Sequence, residues 1–248
     1  MTQSTTARSL THNKSILLEI KVRWHTKPGN TFLAGNPIPS IICFKMTTNS
    51  IKQAKHLLRK EMKSRLAKLL DDQKAQQSLK VTQKVLSNEI YLKSKRVSIF
   101  LSMLDEINTQ AIVQDILKRE KNCFIPYYHG PEMSMLQLKS WDDYANFPET
   151  KWKIKQPLDK TGRDDALKTG GLDLIFIPGL AFTIDGARLG RGKGYYDKYL
   201  QECKIQNYNP VTIGLAFDEQ ICSDIPVTNE DFVLNGVICP SSSFCPFG

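Results

Sequence analysis

The sequence predicts an α/β protein: a single domain on a mostly parallel sheet, with helices covering both faces. Three observations lead there. Short apolar or β-branched runs at 97–101, 123–128, 172–177 and 211–217 alternate with stretches of helical period. That repeated strand–helix order is the signature of parallel strands joined by helical crossovers. Loops rich in polar residues, Gly or Pro follow the carboxyl ends of two of these strands, at 102–106 and 178–194, which is where such sheets gather ligands. At 248 residues the chain is long enough to bury a substantial core in one domain, and it contains no internal repeat.

The elements follow in order. Residues 1–48 mix Thr, Ser, Asn and Pro with several Lys and Arg and hold one acid, Glu19. This composition reads as a disordered extension, an upstream start before Met46, or a weak mitochondrial presequence. Pro28, Pro37 and Pro39 interrupt any long helix there. From Ile51, residues Ala54, Leu58, Met62, Leu66 and Leu69 recur at three- and four-residue steps, which predicts a helix with one apolar stripe. Its other face carries Lys52, Lys55, Arg59, Lys60, Lys63, Arg65 and Lys68 against a single Glu61. A second helix is expected over 71–88, and a third capped by Thr109, with Ile112, Ile116 and Leu117 on its stripe. The run 123–128 is expected as a strand and 135–138 as an antiparallel addition. The polar segment 141–168, broken by Pro148 and Pro157, reads as a long irregular excursion. Strand 172–177, a helix over 194–203 and strand 211–217 complete the pattern.

Most chemistry is concentrated between 178 and 197. Pro178-Gly179 opens a loop that ends in Gly190-Arg-Gly-Lys-Gly194, followed by Tyr195, Tyr196 and Asp197. The glycines let backbone N–H groups approach a ligand closely, Arg188, Arg191 and Lys193 bring positive charge, and Asp197 is an oxygen donor suited to Mg²⁺. The common P-loop does not fit: Ala187 stands where its first Gly belongs, and Gly194 replaces the metal-holding Ser or Thr. The dinucleotide fingerprint fails on spacing as well. On residues alone, a flexible basic loop or an Arg-Gly element touching RNA remains open.

The run Leu189-Gly-Arg-Gly-Lys-Gly-Tyr-Tyr-Asp197, after a strand that ends in Pro-Gly, resembles the 5-formyltetrahydrofolate cyclo-ligase (methenyltetrahydrofolate synthetase) family, close to its animal members. Further matches are Lys95-Arg-Val-Ser-Ile-Phe-Leu-Ser-Met-Leu-Asp-Glu106, Cys123-Phe-Ile-Pro126 and Thr169-Gly-Gly-Leu-Asp-Leu-Ile-Phe176. The likeness covers about 51–237, within a domain set at 49–240 and followed by a tail at 241–248. The resemblance implies ATP- and Mg²⁺-dependent closure of 5-formyltetrahydrofolate to 5,10-methenyltetrahydrofolate. It implies that ATP is held by Lys55, Arg59, Arg188 and the run from Leu189 to Tyr196, with Arg191 and Lys193 as the catalytic cations. A Lys and an Arg four residues apart project from one side of a helix, as a phosphate clamp requires. The resemblance places Mg²⁺ on Asp197 and Asp231. It implies that Glu106 meets the polar edge of the pterin, with Leu101, Tyr128, Met135, Trp152 and Tyr195 as candidate apolar walls and Arg191 to Gly194 also touching folate. The amino-terminal extension and the segment 239–248 depart from the family pattern.

Composition is consistent with that reading. The net charge of +9 suits an enzyme whose substrates, ATP and a reduced folate with or without a polyglutamate tail, are both anionic. No apolar run reaches the length of a membrane span. Six scattered cysteines with no Cys-x-x-Cys pair point to reduced, buried thiols. The expected protein is a cytosolic monomer without nucleic-acid or membrane partners, with a mitochondrial location as the alternative. A basic RNA-binding protein and an ATP-dependent kinase of another small molecule are the competing functions.

Overall fold

Strand β4 (Leu174–Ile177) shows how the sheet is built. Leu174 and Phe176 pack into one hydrophobic cluster, Ile175 and Ile177 into another, and all four are almost fully buried. Side chains on a strand alternate between faces, so an all-apolar run demands cover on both sides. One cover comes from α1 (Thr48–Leu66), α2 (Asp71–Leu86), α3 (Glu89–Lys93) and α4 (Gln110–Lys118), through residues such as Met62, Val81, Tyr91 and Ile112. The other comes chiefly from α6 (Tyr195–Ile205), through Tyr196, Tyr199, Leu200 and Cys203.

The structure is a computed structural model that describes residues 48–150 and 154–244. The expected amino-terminal extension lies outside the described residues apart from Thr48. Trp152 also lies outside them, as do residues 245–248. The remaining strands are β1 (Arg96–Ser98), β2 (Asn122–His129), β3 (Glu132–Leu138), β7 (Val211–Leu215), β8 (Gly236–Ile238) and β9 (Ser243–Phe244). They join β4 in a seven-stranded sheet of order β3-β2-β1-β4-β7-β8-β9. Every pair from β2 to β8 is parallel, and the two edge strands are antiparallel.

The order places a switch point at β1. Val97 pairs Cys123 of β2 on one side and Leu174 of β4 on the other, so the loops leaving β1 and β4 diverge above the sheet. A crevice opens where adjacent strands send their connections to opposite faces. The start of this central pair is fixed by Asp173, whose Oδ2 accepts from Lys95 N–H at 2.7 Å and Arg96 N–H at 2.8 Å.

The mostly parallel architecture is the one expected, with several local differences. The helix expected over 71–88 ends at Leu86, and Asn88 caps α3 by accepting from Ile90 N–H and Tyr91 N–H. Thr109 sits at the start of α4 but does not cap it. Its hydroxyl donates to the buried Phe100 carbonyl at 2.7 Å, and Asn108 Oδ1 accepts from Gln110 N–H instead. The polar excursion contains α5 (Trp141–Ala145), and Arg163 donates two 2.6 Å bonds to Asp143. The loop after β4 contains a two-stranded hairpin, β5 (Ala181–Phe182) and β6 (Arg188–Leu189). The described cysteines 123, 203, 222 and 239 are all free, and burial pushes the Cys123 thiol up to about 12.

Candidate active site

Above the switch point lies a cleft of about 1420 Å³. The face of α1 bearing Lys55 and Arg59 lines it, together with the loop after β1, the run 188–194, the first two turns of α6 and the segment 227–232. On α1 the exposed cations Lys52, Lys60 and Lys63 differ from Lys55 and Arg59, which are half-buried. Four-residue spacing puts both heads on the side facing the glycine loop. Arg59 Nε donates to the Gly190 carbonyl at 2.9 Å, and its guanidinium lies against Gly192, where a Cβ would come within 3.5 Å of it. Gly194 is the residue before α6 and has φ +68°, a left-handed conformation that glycine adopts without a Cβ penalty. The amino terminus of α6, where unsatisfied N–H groups and the helix dipole favour anions, therefore opens beside these cations.

Three of the cleft's cations, Lys55, Arg188 and Arg191, each carry a carboxylate. Lys55 Nζ donates to Asp231 Oδ2, which also accepts from Thr228 N–H at 2.6 Å and Thr228 Oγ1 at 2.9 Å. Burial raises the Asp231 pKa, but the Lys55 and Thr228 bonds outweigh it and hold the carboxyl below the usual range. Arg188 lies beneath the loop with its guanidinium on both Asp197 oxygens, at 3.1 and 3.2 Å, and 5.7 Å above the Tyr196 ring. Arg191 Nη2 donates to Asp105 Oδ1 at 2.6 Å and to Glu106 Oε1 at 3.1 Å. Lys193 differs: it is exposed and makes no ion pair with any described residue.

The other end of the cleft is built around Glu106. Its side chain is only 7% exposed, and Oε2 accepts from Met103 N–H at 3.0 Å. Burial pushes the Glu106 carboxyl above its ordinary value, opposed by the Arg191 charge and the Met103 N–H. Leu101, Tyr128 and Tyr195 stand beside it. The Tyr128 and Tyr195 rings lie 5.0 Å apart, and Tyr195 donates its hydroxyl to the Gly130 carbonyl at 2.9 Å. Burial, with the Glu106 charge adding to it, raises the Tyr128 phenol, so it stays neutral.

The chain is similar in sequence to curated cyclo-ligases over this whole region. The model of the 5-formyltetrahydrofolate cyclo-ligase family matches residues 51–240. The chain belongs to this family. The mouse 5-formyltetrahydrofolate cyclo-ligase is 48% identical over 200 residues, covering 79% of this chain and 98% of the mouse one. The probable 5-formyltetrahydrofolate cyclo-ligase of Caenorhabditis elegans is 36% identical, over 77% and 94%. Among solved structures, the Aquifex aeolicus 5,10-methenyltetrahydrofolate synthetase superposes with a TM-score of 0.65 at 25% identity, covering 78% of this chain and 93% of that one. Membership makes the chain an enzyme, against the reading as a non-catalytic RNA-binding protein.

For this cyclo-ligase family member, most of the residues singled out in the sequence line one cleft: Lys55, Arg59, Leu101, Glu106, Tyr128, Asp231 and the whole of 188–197. Met135 does not. It is fully buried in the core beneath β3 and its sulfur accepts from the Ser98 hydroxyl at 3.0 Å. Met135 shares the face of Tyr128 but lies further down the ladder, opposite Pro126, where it packs in the same cluster as Phe124. Trp152 is outside the described residues. Sequence reasoning missed Asp105, which shares Arg191, and Thr228, which fixes Asp231. Asp105 stood in a quoted motif, but two adjacent acids carry no mark of which one meets a cation from 86 residues away. Among the described residues, no three His, Cys, Asp or Glu side chains converge as a ready-made metal cage.

Proposed function

We propose that the protein converts 5-formyltetrahydrofolate to 5,10-methenyltetrahydrofolate at the expense of ATP, releasing ADP and phosphate. The observation that carries this reading is Arg191, which joins the Glu106 end of the cleft to the cationic glycine loop through direct bonds. A folate at one end and a triphosphate at the other would meet at this guanidinium.

The formyl group is amide-like and its carbon a poor electrophile. Transfer of the γ-phosphoryl group to the formyl oxygen makes that oxygen a leaving group and the carbon iminium-like. The neighbouring folate nitrogen then attacks this carbon, the ring closes and phosphate departs with the former formyl oxygen. No protein nucleophile is required, so catalysis consists of alignment and charge neutralisation. In this reading Lys55, Arg59 and the backbone N–H groups of 190–194 hold the phosphates. Arg188 holds Asp197 from beneath until the nucleotide arrives, while Arg191 and Lys193 neutralise charge on the transferring group. Glu106 accepts paired hydrogen bonds from the amino-pyrimidine edge of the pterin. Leu101, Tyr128 and Tyr195 supply apolar walls.

The oxygen donors suit Mg²⁺, which typically takes one or two carboxylates and completes its shell with water and substrate phosphate. All three donors at Asp231 converge on Oδ2, which leaves Oδ1 for a cation. Asp231 and Asp197 would hold the ion, which would supply charge neutralisation between the phosphates. Lys55 and Arg188, freed from these acids, would turn to phosphate oxygens. The enzyme is read as a cytosolic monomer with no nucleic-acid or membrane partner. No described helix is long and apolar enough to cross a membrane.

Incubation of the protein with 5-formyltetrahydrofolate, ATP and Mg²⁺, followed by the near-ultraviolet absorbance of the methenyl product, tests this reading. Product is expected only when all three are present. Folded protein that forms none, or forms it without ATP, would overturn the proposal.

A further inference from the structure

A pterin that bonds both oxygens of Glu106 must displace a partner already there, because Oε1 accepts from Arg191 Nη2 at 3.1 Å and Nε at 3.4 Å. We infer that Asp105 is the positioning residue that resolves this competition: it draws the Arg191 guanidinium off Glu106 and so leaves the Glu106 carboxylate to the pterin. This role rests on the reading in which Glu106 marks the folate end.

Of the two competing groups, Glu106 is the fixed one. Residues Met103 to Glu106 close a turn in which the Glu106 N–H donates to the Met103 carbonyl at 3.1 Å. The Met103 N–H in return donates to Glu106 Oε2 at 3.0 Å, so the carboxylate is tied to the turn that carries it. It is also buried and has no room to swing aside. Arg191 stands between Gly190 and Gly192, and its side chain is one-third exposed, so the guanidinium is the group that moves. A strand would send residues 105 and 106 to opposite faces. The turn brings both carboxylates to one guanidinium.

Asp105 is suited to receive it. Its Oδ1 accepts from Arg191 Nη2 at 2.6 Å, a shorter contact than either bond to Glu106. Its side chain hydrogen-bonds no other described residue, so the carboxylate is committed to Arg191 alone. Burial disfavours the Arg191 charge, and the Asp105 bond leads the contacts that outweigh burial and hold the guanidinium above its ordinary value. Arg191 Nη1 bonds no described residue. A guanidinium that pivots on Nη2 therefore keeps Asp105, lets go of Glu106 and presents its remaining donors to an anion. Without Asp105 its charged partner would be Glu106, and the two would close into a bidentate pair that the pterin would have to break.

Steady-state kinetics of methenyl formation, with each substrate varied in turn, test the role in the full chain. Asp105→Asn keeps the shape and removes the charge; Asp105→Ala is the second variant, and thermal melts check that both fold. The KM for 5-formyltetrahydrofolate is expected to rise about 10-fold in each, the scale of one hydrogen bond between charged groups. The KM for ATP should change less than about twofold, and kcat at saturating folate should fall by no more than about threefold. Asp105→Glu, which restores a carboxylate, should recover most of the folate KM. A fall in kcat at unchanged folate KM would overturn the role, as would unchanged kinetics. Parallel rises in both KM values would overturn it too, by showing a loop that has merely loosened, and so would an Asp105→Glu variant no better than Asp105→Asn. Wild type that forms no product, or a Glu106→Gln variant with unaltered folate KM, would remove the pterin assignment and this inference with it.

Discussion

Glu106 is a carboxylate that the protein buries against its own stability. Its folded pKa is raised because burial disfavours the charged form more than Arg191 and the Met103 N–H favour it. For a carboxyl of raised pKa, the stability it contributes is present below the unfolded pKa and lost as pH rises through the folded one. Glu106→Gln keeps the shape, removes the charge and leaves Arg191 its bond to Asp105. Thermal melts between about pH 5 and pH 8 should therefore show the variant gaining on wild type as pH rises, while folate turnover falls. Parallel melting curves across that range would mean that Arg191 compensates the buried charge fully. Such a trade is expected where a charge is kept for a substrate rather than for the fold.

At the scale of elements, the hairpin β5–β6 decides where the proposed metal-side acid stands. Gly186 turns this hairpin with φ +92°, and its carbonyl accepts from Leu234 N–H at 2.9 Å. A Cβ at Gly186 would lie 2.2 Å from the Leu234 carbonyl oxygen. Gly186→Ala must therefore strain the turn and push away the strand entry that follows Asp231. A loss of about 2 kcal/mol or more is expected in urea denaturation, from the left-handed backbone and the clash together. Activity measured well below the new midpoint should also fall, because the shift reaches Asp231 and its bond to Lys55. An unchanged midpoint would show that the 228–234 segment yields freely. Helix α1 contributes differently: its apolar stripe docks Met62 and Leu66 in the core, and this docking aims Lys55 and Arg59 across the cleft.

On the scale of the whole molecule, a net charge of +9 coexists with a cleft whose engaged cations are neutralised internally. The pairs Lys55–Asp231 and Arg188–Asp197 hold two cations of the proposed phosphate site on acids. A nucleotide brought with its cation can exchange partners at both pairs, whereas the metal alone would leave Lys55 and Arg188 unpaired in partly buried positions. ATP with Mg²⁺ should accordingly raise the melting temperature, with about 2.7 kcal/mol of added stability at a hundred times the dissociation constant. Mg²⁺ alone at the same concentration should shift it little. An equal shift from Mg²⁺ alone would mean that the two acids form a metal site without phosphate.

Much of this was legible in the sequence because it depends on local rules. The apolar run at 172–177 required cover on both faces, the stripe from Ile51 required a helix, which ends at Leu66 with Leu69 in the turn beyond it, and the spacing of Lys55 and Arg59 put both on one side of it. The glycine loop, Asp197 and the motif ending in Glu106 could be recognised because each is contiguous. Tertiary structure alone decided what crosses long sequence distances. It paired Arg191 with Asp105 and Glu106, set Thr228 around Asp231, and turned Thr109 to the Phe100 carbonyl instead of its own helix. It also kept Met135 in the core, because the ladder sets it opposite Pro126, below the level at which Tyr128 reaches the cleft, and a sequence does not display how strands are aligned. Periodicity and motif report the neighbours of a residue along the chain. Which acid meets which cation depends on where the strand ends and helix starts are brought together, and packing sets that only when the whole sheet forms.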